Sequence, residues 1–346
     1  MEEQIPLASR KEQILRAVVS DYTVTGIPVG SQLLAAKYFV ALSSATIRNE
    51  LADLVGTGYL QQPHTSAGRI PTDRGYRYFV DFLMDQEAPP PNIRRAARHE
   101  FERAPHHLEG ILELSAMVLA QITENVSLVT APQANESRIK HIDLVSLDPQ
   151  SVLVILVLEG NLLRQEVLAL PRPVSQDELS KMASLLNQEV RGATGEDLRS
   201  RLDKLGPQEL EQRYIVERIA ESIRRYDSQR QTAVLHDGVR NLFRQPEFLD
   251  VSRLEELLEL LEEGAQLSAA LQQVAFEKDV EVIIGRENPS TELRECSLVL
   301  TTYRMSERAR GTIGVIGSTR MRYGQVVARV RLVSQLTSEA LEKLAS

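Results

Sequence analysis

Between Leu42 and Thr72 the chain reads LSSATIRNELADLVGTGYLQQPHTSAGRIPT, and this stretch restricts the possible folds more than any other. A serine at 43 or 44 offers a side-chain oxygen to an unpaired N–H of a first helical turn. Ile47, Leu51, Leu54 and Val55 then recur at helical spacing and give one face an apolar stripe. At about 3.6 residues per turn, Ala45, Arg48, Asn49 and Ala52 fall on the opposite side. The two alanines let that side approach another surface closely. Between them stand a guanidinium and a carboxamide, groups able to pair with guanine and adenine edges. Gly56 or Gly58 ends the helix, since glycine tolerates the left-handed conformation at a C-terminus. The remainder suits a short β-ribbon whose tip carries His64, Thr65, Ser66 and Arg69. A groove-entering helix followed by a basic-tipped hairpin predicts a winged helix-turn-helix.

The rest of such a unit is present in order. Ser9 with Glu12 three residues on has the spacing of a capping box. Ile14, Leu15, Val18, Val19 and Tyr22 follow as a helical core stripe. Gly26-Ile27-Pro28 breaks the chain, and Ser31 to Tyr38 predicts a second helix with Leu33 and Leu34 inward. Beyond the ribbon, Tyr76, Phe79, Val80 and Leu83 share a face after a cap at Thr72 or Asp73. Any small three-helix unit could read this way, and winged helices also serve as protein-binding modules. The outward Arg48-Asn49 pair and the polar tip favour DNA, with Ser43, Ser44, Thr46, Arg48, Asn49, His64, Thr65, Ser66 and Arg69 as candidate contacts. The whole chain carries a net charge of −8, yet residues 10 to 77 hold eight Lys or Arg against five Asp or Glu. Phosphate attraction is local, because charges beyond roughly 8 Å are screened. A small basic face on an acidic chain suits a binder that relies on base contacts and on two copies.

At 346 residues, 42% of them hydrophobic, the chain predicts two or three domains with sizeable cores. The single cysteine, Cys296, excludes an internal disulfide and sits at the head of an apolar run, where packing is its expected role. The six histidines show no HExxH spacing, no P-loop occurs, and Gly311, Gly314 and Gly317 are not spaced as a dinucleotide site. No catalytic residues, no metal and no cofactor are expected. The N-terminus lacks the order of a signal peptide. The longest apolar run, Val152 to Leu158, is far below the roughly 18 residues of a membrane span. A cytoplasmic protein with no membrane partner is expected.

After the winged helix, Ala88-Pro89-Pro90-Pro91 reads as a stiff linker, and Ile111 to Ile122 as an apolar-striped helix. The patch Arg94, Arg95, Arg98 reads as a solvated helix face. Ile139 to Leu147, Val152 to Leu158 and Leu163 to Leu170 are β-rich runs joined by turn residues at 148–150 and 159–161, an antiparallel meander. Helices are expected at Gln176 to Val190, Glu196 to Lys204 and Gln208 to Arg230. Strands return at Val280 to Ile284, Ser297 to Tyr303 and Gly311 to Ile316 before a last helix including Val326 to Leu344. One sheet split by a long helical insertion fits this order, giving a multidomain α+β fold. The leucines of Leu254 to Leu261 have two readings, an internal helical core or a partner surface.

PVGSQLLAAKY, SSATIRNELADLVGTGYLQQPHTSAGRIPTDRGYRYFVDFL, LRECSLVLTTYRM and RGTIGVIGSTRMRYGQVV together resemble the heat-inducible transcription repressor family HrcA along nearly the whole chain. The resemblance implies a repressor of chaperone genes that binds an inverted-repeat operator in double-stranded DNA as a homodimer. It further implies that the chaperonin GroEL maintains its activity and that heat stress lowers it. It names the sheet domain GAF-like and the insertion a dimerisation domain. The expected division is 1–87 for the winged helix, 92–205 with 279–346 for the GAF-like α+β domain, and 206–278 for a largely helical dimerisation domain. The alternative is a small-molecule-sensing winged-helix regulator with a ligand pocket in the GAF-like domain.

Overall fold

The computed structural model describes residues 7–65, 67–85, 87–134, 137–159, 162–202, 210–229, 233–248, 251–272, 274, 276, 278–288, 290–306 and 309–345. Three helices come first, α1 (Ser9–Thr25), α2 (Ser31–Lys37) and α3 (Ser44–Gly56). A two-stranded antiparallel ribbon of β1 (Leu60–Gln61) and β2 (Ile70–Pro71) follows. Ile14, Leu15, Val18 and Val19 of α1, Leu34 of α2, and Ile47, Leu51 and Leu54 of α3 meet in one buried core. Leu33 is 45% exposed, so α2 buries one leucine of the expected pair. The predicted capping box at α1 does not form. The N-cap is Ala8, with no side-chain bond, and Glu12 instead accepts a hydrogen bond of 2.8 Å from the Tyr78 hydroxyl. A tertiary partner has outcompeted a local one, and it ties α1 to the next helix, α4 (Asp73–Tyr78). Thr72 caps α4 by accepting from the Gly75 N–H, and the helix runs on into one π-helical turn, Phe79–Leu83.

Pro91, read as linker, opens α5 (Pro91–Glu102), where its missing N–H costs nothing. Then come α6 (Leu108–Thr123), β3 (Val126–Thr130) and the two-residue β4 (Gln133–Ala134). The meander follows as β5 (Ile139–Asp148), β6 (Ser151–Leu158) and β7 (Leu162–Ala169), with helices α7 (Gln176–Val190), α8 (Gly195–Leu202) and α9 (Leu210–Gln229). The chain continues through β8 (Val234–Asp237), α10 (Val251–Glu262), α11 (Gly264–Gln272), β9 (Val280–Ile284), β10 (Cys296–Arg304), β11 (Ala309–Ser318) and α12 (Tyr323–Ala345). The turn expected at Glu159-Gly160-Asn161 lies partly outside the described residues.

The expectation of one split sheet is corrected. Among the described residues the meander pairs only with itself, in the order β5-β6-β7, while a larger antiparallel sheet runs β8-β3-β11-β10-β9. The compact units divide accordingly into residues 1–133 with 232–346, and residues 134–231. The expected cuts at 205/206 and 278/279 are not where the chain separates. Periodicity identifies a strand but not its partner, and the missed strands β3 and β8 complete the larger sheet. That sheet is buried on both faces. Val299, Tyr303, Ile313 and Val315 share a core with residues of α6 and α12. Leu298, Leu300 and Ile316 point the other way, onto Leu254, Leu257, Leu260 and Leu261 of α10 and Leu267 of α11. The α10 leucines are therefore internal core, each adding about 1.5–3 kcal/mol of burial, and this removes them as a partner surface.

In the smaller unit, Val152, Val154, Leu156 and Leu158 of β6 pack with Leu179, Leu186, Ile219 and Ile223 of the helices. Its edge strand β5 is closed by side chains. The Asn187 carboxamide accepts from the Ile142 N–H at 2.8 Å and donates to the Ile142 carbonyl at 2.7 Å. Gln176 accepts from the Ser146 N–H at 2.7 Å and donates to the Leu144 carbonyl at 3.0 Å. Two amides on α7 thus stand where a further strand would pair.

Candidate nucleic-acid interface

The start of α3 is set by Ser43, whose Oγ accepts the Thr46 N–H at 3.1 Å and lies 2.9 Å from the Thr46 hydroxyl. Ser43 and Thr46, both candidate contacts, are therefore engaged in holding the first turn. Ser44 and Thr46 are half-buried, whereas Ala45, Arg48, Asn49 and Ala52 are exposed on one side, as the spacing requires. Neither Arg48 nor Asn49 makes a side-chain hydrogen bond or ion pair among the described residues. The acids of the same helix are already matched from α1, Glu50 by Arg10 at 3.5 Å and Asp53 by Lys11 at 3.0 Å. The charge α3 leaves unmatched is the Arg48 guanidinium. At the far end, Arg74 donates to the Thr57 carbonyl at 3.1 Å and lies over the Tyr59 ring at 4.7 Å, a cation closing the carbonyl end of a helix.

The ribbon is built tightly. Gln62 donates to the carbonyls of Thr65 (2.7 Å) and Ala67 (3.1 Å), pinning the tip, and His64 and Thr65 are exposed. Ser66 lies outside the described residues. Arg69 differs from its expected place at the tip. Its backbone exchanges hydrogen bonds of 2.9 and 2.8 Å with Val29, and its half-buried guanidinium donates to the Ala67 carbonyl at 3.2 Å. Val29, just before α2, thus makes a single antiparallel bridge to the residue that leads into β2. The approach depends on Gly68, where a Cβ would stand 2.5 Å from the Pro28 carbonyl oxygen. Sequence reasoning missed Val29, Gln62 and Gly68. The glycine inside the TSAGR tip was the available signal for a close backbone approach.

On α1 and α2, the buried Asp21 carboxylate receives Lys37 Nζ at 2.5 Å and the Tyr38 hydroxyl at 3.1 Å, fixing the crossing of the two helices. Among the described residues no group of His, Cys, Asp and Glu converges as metal ligands. Burial pushes the Cys296 thiol up to about 12, which leaves it no thiolate character near neutrality. No helix is long and apolar enough to cross a membrane among the described residues.

A family model described as "HrcA protein C terminal domain" matches residues 109–327. The heat-inducible transcription repressor HrcA of Pelotomaculum thermopropionicum is 36% identical, with 98% of each chain covered. Its counterpart from Desulforudis audaxviator is also 36% identical, covering 97% of this chain and 98% of the relative. A solved crystal structure of a hypothetical protein superposes with a TM-score of 0.58 at 23% identity, covering 98% of this chain and all of that one, a likeness of fold alone. With a family model over more than half the chain and relatives aligned along nearly all of it, this chain belongs to the HrcA family of heat-inducible transcription repressors.

Proposed function

We propose that the chain is a repressor of heat-shock genes that reads an inverted-repeat operator through a winged helix-turn-helix. The observation that carries this reading is the exposed, unmatched Arg48-Asn49 pair, flanked by Ala45 and Ala52 on a helix whose acids are already paired. Arg48 and Asn49 make the base contacts. Ser44, His64 and Thr65 approach phosphate, Ser43 and Thr46 orient the helix, and Arg69 acts mainly through the ribbon it braces.

Two copies are required, because one head with a surplus of three charges gives weak phosphate attraction. The surface we assign to a second copy is the outer face of the smaller sheet. There Val145, Leu153 and Val167 stand in one cross-strand row, Asp143, Ile155 and Gln165 in the next, and Val157 with Leu163 in the row beyond. Val145, Leu163 and Val167 are 40, 54 and 58% exposed. In this reading the chaperonin GroEL raises the fraction of operator-competent protein without changing the affinity of the folded dimer, and heat withdraws that support. The GAF-like label that the resemblance gives to residues 92–205 with 279–346 belongs to the same proposal.

One feature favours the ligand-sensor alternative: a cleft of about 590 Å³ beside β10 and α12, lined by Arg304, Arg310, Arg331 and Ser338 among others. Footprinting of purified protein on duplexes selected from a random pool, followed by titration of the active fraction with and without chaperonin and nucleotide, tests the proposal. A two-fold footprint and a rise in active fraction are expected. An unchanged active fraction, with affinity set by an added metabolite, favours the sensor.

A further inference from the structure

Where α4 meets the larger sheet, a set of polar contacts is added to the apolar core that Tyr76 and Tyr78 share with that sheet. The Arg77 guanidinium donates through Nε to Glu287 at 2.8 Å and through Nη2 to Glu287 and to the carbonyl of Val282, on the edge strand β9. Its Nη1 also lies 3.5 Å from Asp81. Glu287 is itself held, accepting the Ile284 N–H at 2.8 Å. One turn earlier on α4, Asp73 accepts the Arg286 N–H at 3.1 Å. That approach needs Gly285, in the left-handed region at φ +54°, where a Cβ would stand 2.4 Å from the Asp73 carboxylate. Lys278 reaches Asp81 at 3.3 Å. Behind these groups the Tyr76 and Tyr323 rings meet at 5.8 Å. A second attachment lies at the carbonyl end of α1, where Arg320 donates to Thr23 at 3.0 Å while held by Glu247 at 2.5 Å.

We propose that Arg77 is a positioning residue for operator recognition: clamped on Glu287 and Val282, it sets the bearing of the α1–α4 head on the larger sheet, and so the spacing two heads can span. This rests on the DNA-binding reading above. Arg77 lies outside the candidate groove-facing residues, so its effect reaches DNA only through the angle of the head. A guanidinium bound to three acceptors at fixed directions specifies orientation more narrowly than an apolar contact of the same area. Because one acceptor is the backbone of the sheet edge, any displacement of β9 is passed to α4.

The test uses full-length protein carrying Arg77→Met or, separately, Gly285→Ala, which crowds Asp73 and strains the turn that carries Glu287 while leaving the Arg77 side chain in place. Each is compared with wild type by thermal melting, and by binding to three duplexes from the selected pool: the full repeat, a single half-site, and the repeat with its spacer lengthened by two base pairs. Folded variants are expected to lose at least ten-fold on the full repeat, to keep half-site affinity within two-fold, and to discriminate less against the lengthened spacer. Unchanged affinity and spacing preference in both folded variants overturns the proposal. An equal loss on half-site and full repeat also overturns it, since the head itself would then be damaged. Two variants that do not fold overturn it as well, by making the contact one of stability. Wild-type protein that selects no duplex instead defeats the DNA-binding reading beneath it.

Discussion

Arg48 and Asn49 were legible because a helix turns the same way wherever it sits, and an apolar stripe at 47, 51 and 54 leaves no doubt which side is outward. Arg69 was not legible, because its fate is decided by Val29, forty residues earlier, through a backbone pairing that no local pattern encodes. Gly68 marks that pairing. Gly68→Ala would drive a methyl into the backbone of Pro28 and Val29, neither of which is a flexible side-chain end. It should destabilise the protein by about 1–3 kcal/mol, read as a shift in denaturant midpoint. A midpoint equal to wild type would mean the ribbon does not press on Val29. Cys296 offers a second check. Fully buried, with its thiol pushed up to about 12, it should resist a thiol reagent at pH 7–8 and react only as the larger sheet opens. Rapid labelling of native protein at 25 °C would contradict the two-sided burial of that sheet.

Elements were read more securely than their pairings. Helix α7 occupies the expected Gln176–Val190, with a capping box at Ser175 and Glu178 that the spacing supports. All three meander strands lie within two residues of their expected ends. What the sequence could not convey is which edges are free, since alternation fixes faces and not neighbours. The closing of β5 by Asn187 and Gln176 is such a feature, visible only once the helix lies beside the strand. Asn187→Leu keeps the helix but strips the partner from both the N–H and the carbonyl of Ile142. It should cost roughly 1–3 kcal/mol and expose a pairing edge, so that light scattering shows association growing with concentration. A variant as stable and as monodisperse as wild type would show that the amides are incidental.

At the scale of the molecule, the N-terminal core is continuous with the core of the larger sheet, so the linker read at 88–91 does not separate two independent bodies. Burial of α10 under that sheet makes its leucines internal core, and the dimer surface we propose is instead the outer face of the smaller sheet. Val167→Lys there touches no described core and should yield a folded monomer with weakened operator binding. A dimer of wild-type strength in sedimentation would send the search for the interface elsewhere. Operator recognition as proposed requires that α3 read base sequence. The most direct measurement is the affinity of Arg48→Ala and Asn49→Ala, each shown to be folded, for the selected duplex and for unrelated DNA at one salt concentration. A loss of about 1–3 kcal/mol on the selected duplex with little change on unrelated DNA, and so relaxed discrimination, is expected. Folded variants that bind and discriminate as wild type does would contradict it.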